Sequence, residues 1–476
     1  MAESSNPSRR DLLKTAGAVT VAAAAARVAA PHIQKIKAAN NQVAFGMIGT
    51  GSRGQYLLTH LSKIDNGRCV ALCDIWEPNL KKGISAIGTN PKGYKDYREL
   101  LARQDIDAVL VATPLYEHFP ITRDALLAGK HVFCEKSLVF KPEEVHALRK
   151  LAGEHSKQII QVGLQRRYSQ FYQTAKQMVE KGMLGKITHV NAQWNRNGKS
   201  RAWQVSAMDP ARGKESVWRL YRQYSGGLTA ELGSHQIDVA DWFFGSSPEF
   251  VSGVGGNEFV RDGRDIYDNI QLIFRYPQGQ KMMYQSISTN KHLTLFGGTR
   301  SEFGEVIMGT EGTIEITVGT DNEPALGLWF SEPGPPKAEP ASKSKEKATV
   351  ASATLTSTAA GQRGLPIILS RDMVTKQEPF LEREMKFARL WLYRKGVMVP
   401  QEDRNPVDVE LESFFDSTKT GKKPLADLEV GLADSVMVML ANKAMDEGRR
   451  VYFNEIDKMG LGGVPGTTTA APVAKS

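Results

Sequence analysis

Cysteine is scarce in this sequence: Cys69, Cys73 and Cys134 are the only three in 476 residues. So few thiols exclude a disulfide scaffold, and none stands at zinc-ligand spacing, so no metal is assigned. All three fall in apolar strand patterns and are expected to be buried thiols. Long apolar runs are missing too. Thr15 to Ala30 is short, rich in Ala and interrupted by Arg27, and nothing after it approaches the roughly 18 residues of a membrane span, so no stable membrane insertion is expected of the mature chain. Blocks of basic residues interleaved with aromatics are absent. The formal net charge of +9 therefore does not argue for nucleic acid, the more so because Arg9, Arg10, Lys14, Arg27, Lys35 and Lys37 face only Glu3 and Asp11 in the first 38 residues. No internal repeat is found.

What is present begins with "SRRDLLK", Ser8 to Lys14, ahead of the Ala-rich run. Twin arginines in that setting are the address for twin-arginine export, so residues 1–38 are set aside from the fold. That route carries folded proteins and implies a bacterial periplasmic location. The remainder, at 41% hydrophobic and 24% charged overall, is globular and long enough for two domains.

The first of them is predicted over 42–165. In "QVAFGMIGTGSRGQYLLTHL" an apolar strand runs directly into Gly49, Thr50, Gly51, Ser52, Arg53 and Gly54. Glycines spaced G-x-G-x-x-G let the backbone turn tightly, approach a pyrophosphate and start a helix whose amides face the anion. A second strand, "RCVALCD", ends in Asp74, where a carboxylate would meet the adenosine ribose and repel a 2′-phosphate. NAD is expected over NADP. Further short apolar runs alternate with helical patterns, which implies a parallel α/β sheet covered on both faces, a Rossmann domain with ligands at the carboxyl ends of its strands. Thr113, Pro114, Glu135 and Lys136 lie at those ends.

Beyond Lys186 the period changes. Runs such as "DNIQLIFRYPQG" and "QKMMYQSISTN" alternate and are broken by Gly, Pro and Asn, predicting an α+β domain over 166–458 with a large open, mostly antiparallel sheet. Residues 332–365, rich in Pro, Ala, Ser and Lys, are expected to be a mobile insertion, and 460–476 a disordered tail. Leu228 to Phe243 predicts an amphipathic helix with Glu231, His235, Asp238 and Trp242 on one face.

"ATPLYEHFPITRDALLAGKHVFCEKS" resembles the signature of the glucose-fructose oxidoreductase, inositol dehydrogenase and rhizopine-catabolism family (Gfo/Idh/MocA), usually A-T-P-N-x-x-H and A-G-K-H-V-x-C-E-K-P. "RRYSQFYQTAKQMVEKGMLGKITHV" and "GGLTAELGSHQIDVADWFFG" continue the likeness, which runs from Gln42 to about Phe453. Leu115 replaces the usual Asn, which removes a polar contact near the cofactor, and Ser137 replaces Pro after the lysine. The resemblance implies an NAD(P)-dependent oxidoreductase acting on CH–OH groups of a sugar, glycoside or polyol. It adds His118 to the cofactor contacts and makes Lys136, Glu231 and His235 the catalytic candidates, with Glu231, where the family has Asp, orienting His235. Arg166, Trp194, Arg196, Trp218, Arg219 and Tyr284 are candidate sugar contacts, since aromatic faces stack on pyranose C–H surfaces; the tryptophans serve equally well as core residues. Assembly as a homodimer or homotetramer through the second sheet is expected.

Export in a folded state explains why a dehydrogenase would carry its cofactor with it, and a captive cofactor must be reset in place, which implies a redox-neutral cycle. Two alternatives stay open. One is an NAD-dependent glycosidase, although "TAELG" stands where the family's glycosidases have a G-H-G-type signature. The other is a non-catalytic sugar-binding or scaffold protein with structural NAD.

Overall fold

The computed structural model describes residues 42–196, 203–290, 303–317 and 404–458, together with the strands Leu326–Ser331, Thr349–Val350, Ala353–Thr354 and Leu365–Pro366. The expectations for 1–38 and 460–476, and for most of 332–365, lie outside these residues.

Six strands form the first sheet: β1 (Val43–Ile48), β2 (Gly67–Cys73), β3 (Lys92–Tyr94), β4 (Ala108–Val111), β5 (His131–Cys134) and β6 (Ile160–Val162). All pair in parallel, in the order β3-β2-β1-β4-β5-β6. Every residue of β1 and β4 is buried, as a parallel sheet covered on both faces requires. Helices α1 (Ser52–Leu61), α2 (Glu77–Ile87), α3 (Tyr97–Leu101), α4 (His118–Leu127) and α5 (Pro142–Glu154) make the crossovers. The strand order reverses between β2 and β4 on either side of β1, and the crevice beyond their carboxyl ends is where such sheets hold ligands.

After the first sheet come α6 (Gln170–Glu180), α7 (Ser234–Phe244) and α8 (Pro406–Thr420). The sequence placed α8 in 166–458, yet it completes the first domain's core. Val407, Leu411, Phe414 and Phe415 are buried with Phe45, Met47, Leu57 and Phe133. The Phe45 and Phe415 rings lie 5.3 Å apart, and Phe133 and Phe414 5.8 Å. Burying each of these rings contributes about 1.5–3 kcal/mol. Gly67 is obligatory beneath them, because a Cβ there would sit 2.4 Å from Phe415. Asn405 caps α8 by accepting from Val407 N at 2.9 Å, and Gly421, at φ +70°, ends it.

The second sheet has β7 (Ile187–Trp194), β8 (Phe250–Gly256), β9 (Asn269–Arg275), β10 (Lys281–Ile287), β11 (Phe303–Gly309), β12 (Gly312–Thr317) and β13 (Leu326–Ser331). Its order is Leu365–Pro366, β13, β12, β11, β7, β10, β9, β8, Val451–Tyr452, so a two-residue strand that begins at the last residue of 332–365 joins its edge. All pairs are antiparallel except β7 with β10. The predicted alternation is explicit in β9, where Ile270, Leu272 and Phe274 are buried while Gln271 and Ile273 face out. Helices α7 and α9 (Leu428–Glu447) pack against the buried face through Ile237, Ala240, Val436 and Leu440.

The predicted amphipathic helix over Leu228 to Phe243 differs from what is found. Thr229–Gly233 is a π-helical turn and α7 starts only at Ser234, with Gln236, Ile237, Asp238, Val239 and Ala240 all buried. Polar residues at helical spacing face a buried partner here: Asp238 accepts a bidentate pair from Arg167 at 2.7–3.0 Å. Cys73 and Cys134 are buried as expected, and Cys69 is half-buried; burial pushes the Cys69 and Cys73 thiols up to about 12.

Candidate active site

A cleft of about 1150 Å³ runs from the glycine turn after β1 to the inner end of the second domain. Its cofactor-sized half is built by close approach of backbone. Gly49 adopts φ +92°, and a Cβ on it would lie 2.7 Å from the Ala112 backbone. A Cβ on Gly54 would lie 2.1 Å from the Gly49 carbonyl. Gly51 is different: a side chain there would meet only Asn79 Nδ2, at 3.9 Å, so the space above the N-terminus of α1 is open. A cradle closed at two glycines and open at the third, facing helix amides, fits a dinucleotide pyrophosphate.

Asp74 closes β2. Its Oδ2 accepts from Thr50 N at 2.8 Å and Thr50 Oγ1 at 3.2 Å, and Oδ1 accepts from Trp76 N at 2.8 Å. The carboxylate therefore fixes the glycine turn as well as lining the cleft, a role that spacing did not reveal. Ser52, Thr113 and Pro114 also line it, and Thr113 Oγ1 is buried without a partner among the described residues. Arg53 and Glu135, both expected at the cofactor, bond to each other, Nε to Oε1 at 2.6 Å, while Arg53 Nη2 donates to Gln165 Oε1 at 2.9 Å. His118 reaches the cleft but is spent as a brace: its ring nitrogens approach the Ser137 carbonyl at 2.7 Å and the Thr113 carbonyl at 3.0 Å, with burial holding its pKa below the ordinary value. Leu115 is buried against Ala230 and Val438, so the family's polar position has become an apolar contact between domains.

Lys136 stands where the two halves of the cleft meet. Its Nζ donates to the carbonyls of Ala230 at 2.9 Å and Glu231 at 2.7 Å, leaving one N–H for another acceptor. Burial lowers its pKa, against the opposing charges of Glu231, Glu135 and Asp434. The Lys136–Ser137 peptide is cis, and Ser137 Oγ donates to Asp434 Oδ2 at 3.3 Å. His235 lines the same place, with Nδ1 buried and unpartnered among the described residues. Burial, then the charges of Lys136, Arg166 and Arg53, hold its pKa well below 6.5. That shift favours the neutral form of the ring.

Glu231 shares the cleft but does not orient His235. Its carboxylate accepts from Arg219 Nε at 2.9 Å and from Ser225 Oγ at 3.4 Å. The π-helical turn is the reason: the i, i+4 register expected of an α-helix is broken by Thr229–Gly233, which holds Glu231 and ends just before the α-helical stretch that carries His235.

Four of the six candidate sugar contacts line the cleft. Trp194 stacks on Phe303 at 4.4 Å and lies 6.1 Å from the His235 ring. Arg196 sits over Trp194 and Trp203 at 5.1 and 5.5 Å, and Arg219 over Trp218 at 4.3 Å. Arg166 and Tyr284 are not in it. Arg166 is buried in an ion pair with Glu305, which also accepts from Tyr172 Oη at 2.6 Å. Tyr284 is buried against Gly233, where a Cβ would sit 3.1 Å from its ring. Both support the floor from the sheet side. No group of three or more metal-ligating side chains converges among the described residues, and no described helix is long and apolar enough to cross a membrane.

Comparison with known proteins agrees with this geometry. Residues 43–164 match the model of the oxidoreductase family with an NAD-binding Rossmann fold, 172–315 that of the GFO/IDH/MocA C-terminal domain, and 6–26 that of the twin-arginine translocation signal. Among curated proteins, "Glycosyl hydrolase family 109 protein 2" of Shewanella sp. (strain ANA-3) is 31% identical over 198 residues, 40% of this chain and 42% of that protein. "Inositol 2-dehydrogenase" of Rubrobacter xylanophilus is 27% identical over 278 residues, 58% of this chain and 72% of that protein. The first curated relatives are matched over less than two thirds of their own length. Among solved structures, aldose-aldose oxidoreductase from Caulobacter crescentus complexed with glycerol superposes with a TM-score of 0.61 at 18% identity, over 86% of this chain and 99% of that one. With both domain models matched in order and the glycine cradle and the Glu135–Lys136 pair in place, the chain belongs to the Gfo/Idh/MocA family of NAD-binding oxidoreductases.

Proposed function

We propose that this protein oxidises and re-reduces a secondary hydroxyl of a sugar, glycoside or polyol, with NAD kept bound through a redox-neutral cycle in the periplasm. The observation that carries this reading is that Lys136 and His235, both half-buried and both held below their ordinary pKa, line one end of the cleft whose other end is the glycine cradle. When bound, the nicotinamide supplies the hydride acceptor and donor. Lys136, tied to two carbonyls and poised to lose a proton, takes the hydroxyl proton and returns it, while neutral His235 positions the same oxygen. Trp194 and Trp218 offer flat faces for the sugar ring, and Glu231 steadies Arg219 beside it.

The twin-arginine signal match supports export with the cofactor already in place. The name of the Caulobacter protein, aldose-aldose oxidoreductase, supports the redox-neutral form. Asp74 beside the ribose position supports NAD over NADP. Similarity to the Shewanella protein favours a second version, in which a glycoside is oxidised only transiently to acidify a neighbouring C–H. The exposed face of the second sheet carries Val254, Ile273 and Met283, which supports pairing with a second copy there.

The test is mass spectrometry and absorbance of the purified protein for retained nucleotide, followed by a screen of sugars and glycosides for appearance or bleaching of the reduced-cofactor band. Recovery of the protein empty and without affinity for either nucleotide would overturn the reading.

A further inference from the structure

Residues 203–222 cross from the second domain over the mouth of the cleft. The segment is fastened at both ends. The carbonyl of buried Trp203 accepts from Arg264 Nη2 at 2.8 Å, the Leu220 carbonyl accepts from Asp265 N at 3.2 Å, and Arg222 pairs with Asp446 at 2.8 Å. Between these anchors lies a self-bonded turn. Asp209 O accepts from Arg212 N at 3.1 Å and Gly213 N at 2.8 Å, Asp209 Oδ1 from Ala211 N at 2.8 Å, and Ser216 Oγ from Asp209 N at 2.8 Å, with Gly213 at φ +56°. A turn so bonded holds Arg212 in a defined direction, with its guanidinium 4.9 Å from the centre of the Trp76 ring.

Trp76 is two residues past Asp74, at the N-terminal end of α2, and both its ring and Arg212 line the same cleft as Gly51 and Asp74. When the glycine turn holds the pyrophosphate and Asp74 the ribose, the adenosine end of a dinucleotide lies on the Asp74 side, toward Trp76 and Asn79. A second contact lies nearby: Tyr116, after β4, packs on Tyr224 at 5.1 Å, its hydroxyl pushed up to about 12 by burial and by the carboxylates of Glu117 and Glu215. The nucleotide domain is thus met by second-domain side chains at Trp76 and again at Tyr116.

We propose that Arg212 and Trp76 form a clasp over the adenosine half of the bound dinucleotide, so that the second domain itself holds the cofactor and release requires the two side chains to part. This rests on the dinucleotide reading above, and it supplies that reading with a residue-level cause of retention. Arg212 belongs to a segment that no dinucleotide fingerprint includes, and its contribution is a flat cation on an indole face, about 0.5–2 kcal/mol in comparable contacts.

The experiment loads the full-length protein with NADH and follows the fall of bound-NADH fluorescence on mixing with a large excess of NAD. Trp76→Ala and Arg212→Ala are each expected to release NADH about three- to thirtyfold faster than wild type, the rate equivalent of that contact. The double variant should be no faster than the faster single one, because both remove the same contact. Trp76→Phe, which keeps a ring under the guanidinium, should stay near the wild-type rate. Arg212→Ala removes only a half-buried surface side chain, so its result does not depend on how well Trp76 variants fold. Slow release from wild type with both alanine variants unchanged would overturn the clasp alone. Absence of NADH binding by wild type would overturn the dinucleotide reading and the clasp with it.

Discussion

Glu231 accepts a hydrogen bond from Arg219 Nε at 2.9 Å, and none to His235 is found among the described residues, although the two lie four residues apart on one helical stretch. Glu231→Gln should therefore raise the KM for an accepted sugar more than it lowers kcat, because it loosens an arginine at the substrate end of the cleft. Glu231→Asp restores the family's residue yet should behave similarly, since one methylene less withdraws the carboxylate from Arg219. Steady-state kinetics of both variants decide it: a fall in kcat alone, matched by a shifted pH profile, would place Glu231 on His235 after all.

Lys136→Ala and His235→Ala should each slow single-turnover hydride transfer by on the order of a hundredfold or more, the scale of a positioned acid or base. The double variant should be little worse than the worse single one, because groups acting on one oxygen are non-additive. Nucleotide content, measured alongside, should survive in both. A wild-type rate in His235→Ala would remove it from the chemistry.

Asp74 has two roles in the structure, so its replacement should have two effects. Asp74→Ala with a basic neighbour introduced should shift preference toward NADP, and it should also lower the unfolding midpoint of the nucleotide-free protein, because Thr50 N and Trp76 N lose their acceptor. Asp74→Asn separates the two effects: it keeps an acceptor oxygen for one of these amides and should be the more stable of the two variants. Unchanged cofactor preference in Asp74→Ala would show that the carboxylate only braces the turn.

Glu410, on α8, is fully buried and neither carboxylate oxygen has a partner among the described residues. Burial, then the charge of Glu135, push its pKa well above 4.5, against Arg53. A carboxyl whose folded pKa is raised binds its proton more tightly folded than unfolded, so its neutral form is carried at no cost below the unfolded value and stability falls as pH climbs above it. Glu410→Gln is neutral at every pH. Its unfolding midpoint relative to wild type should therefore be higher at pH 8 than at pH 4.5, by the equivalent of about 1–3 kcal/mol, the usual cost of an uncompensated buried polar group. An equal difference at both pH values would show that folding leaves the pKa of Glu410 unshifted.

The glycine turn, Asp74, the parallel strands and the alternating runs of the second sheet were legible in the sequence because each depends on residues near one another in the chain. A turn needs its glycines at fixed offsets, and a half-buried strand needs its period of two. Gly49 and Gly54 meet their constraints within a few residues, and Ile270, Leu272 and Phe274 declare their face by spacing alone. The motif around Glu135 and Lys136 placed the catalytic candidates at a strand end for the same reason.

Partnerships across long sequence separations were decided only by the tertiary structure. Nothing near Phe415 in the chain shows that it fills the core beneath Gly67, and nothing near Arg166 shows that Glu305 will neutralise it away from the cleft. A helical spacing placed Glu231 over His235, but the π-helical turn and the approach of Arg219 gave that carboxylate a different partner. Arg212 and Trp76 are far apart in sequence and lie in different domains. Which ionisable groups meet depends on how two sheets and the helices between them pack, because burial forces each charge to find whichever partner that packing brings within reach.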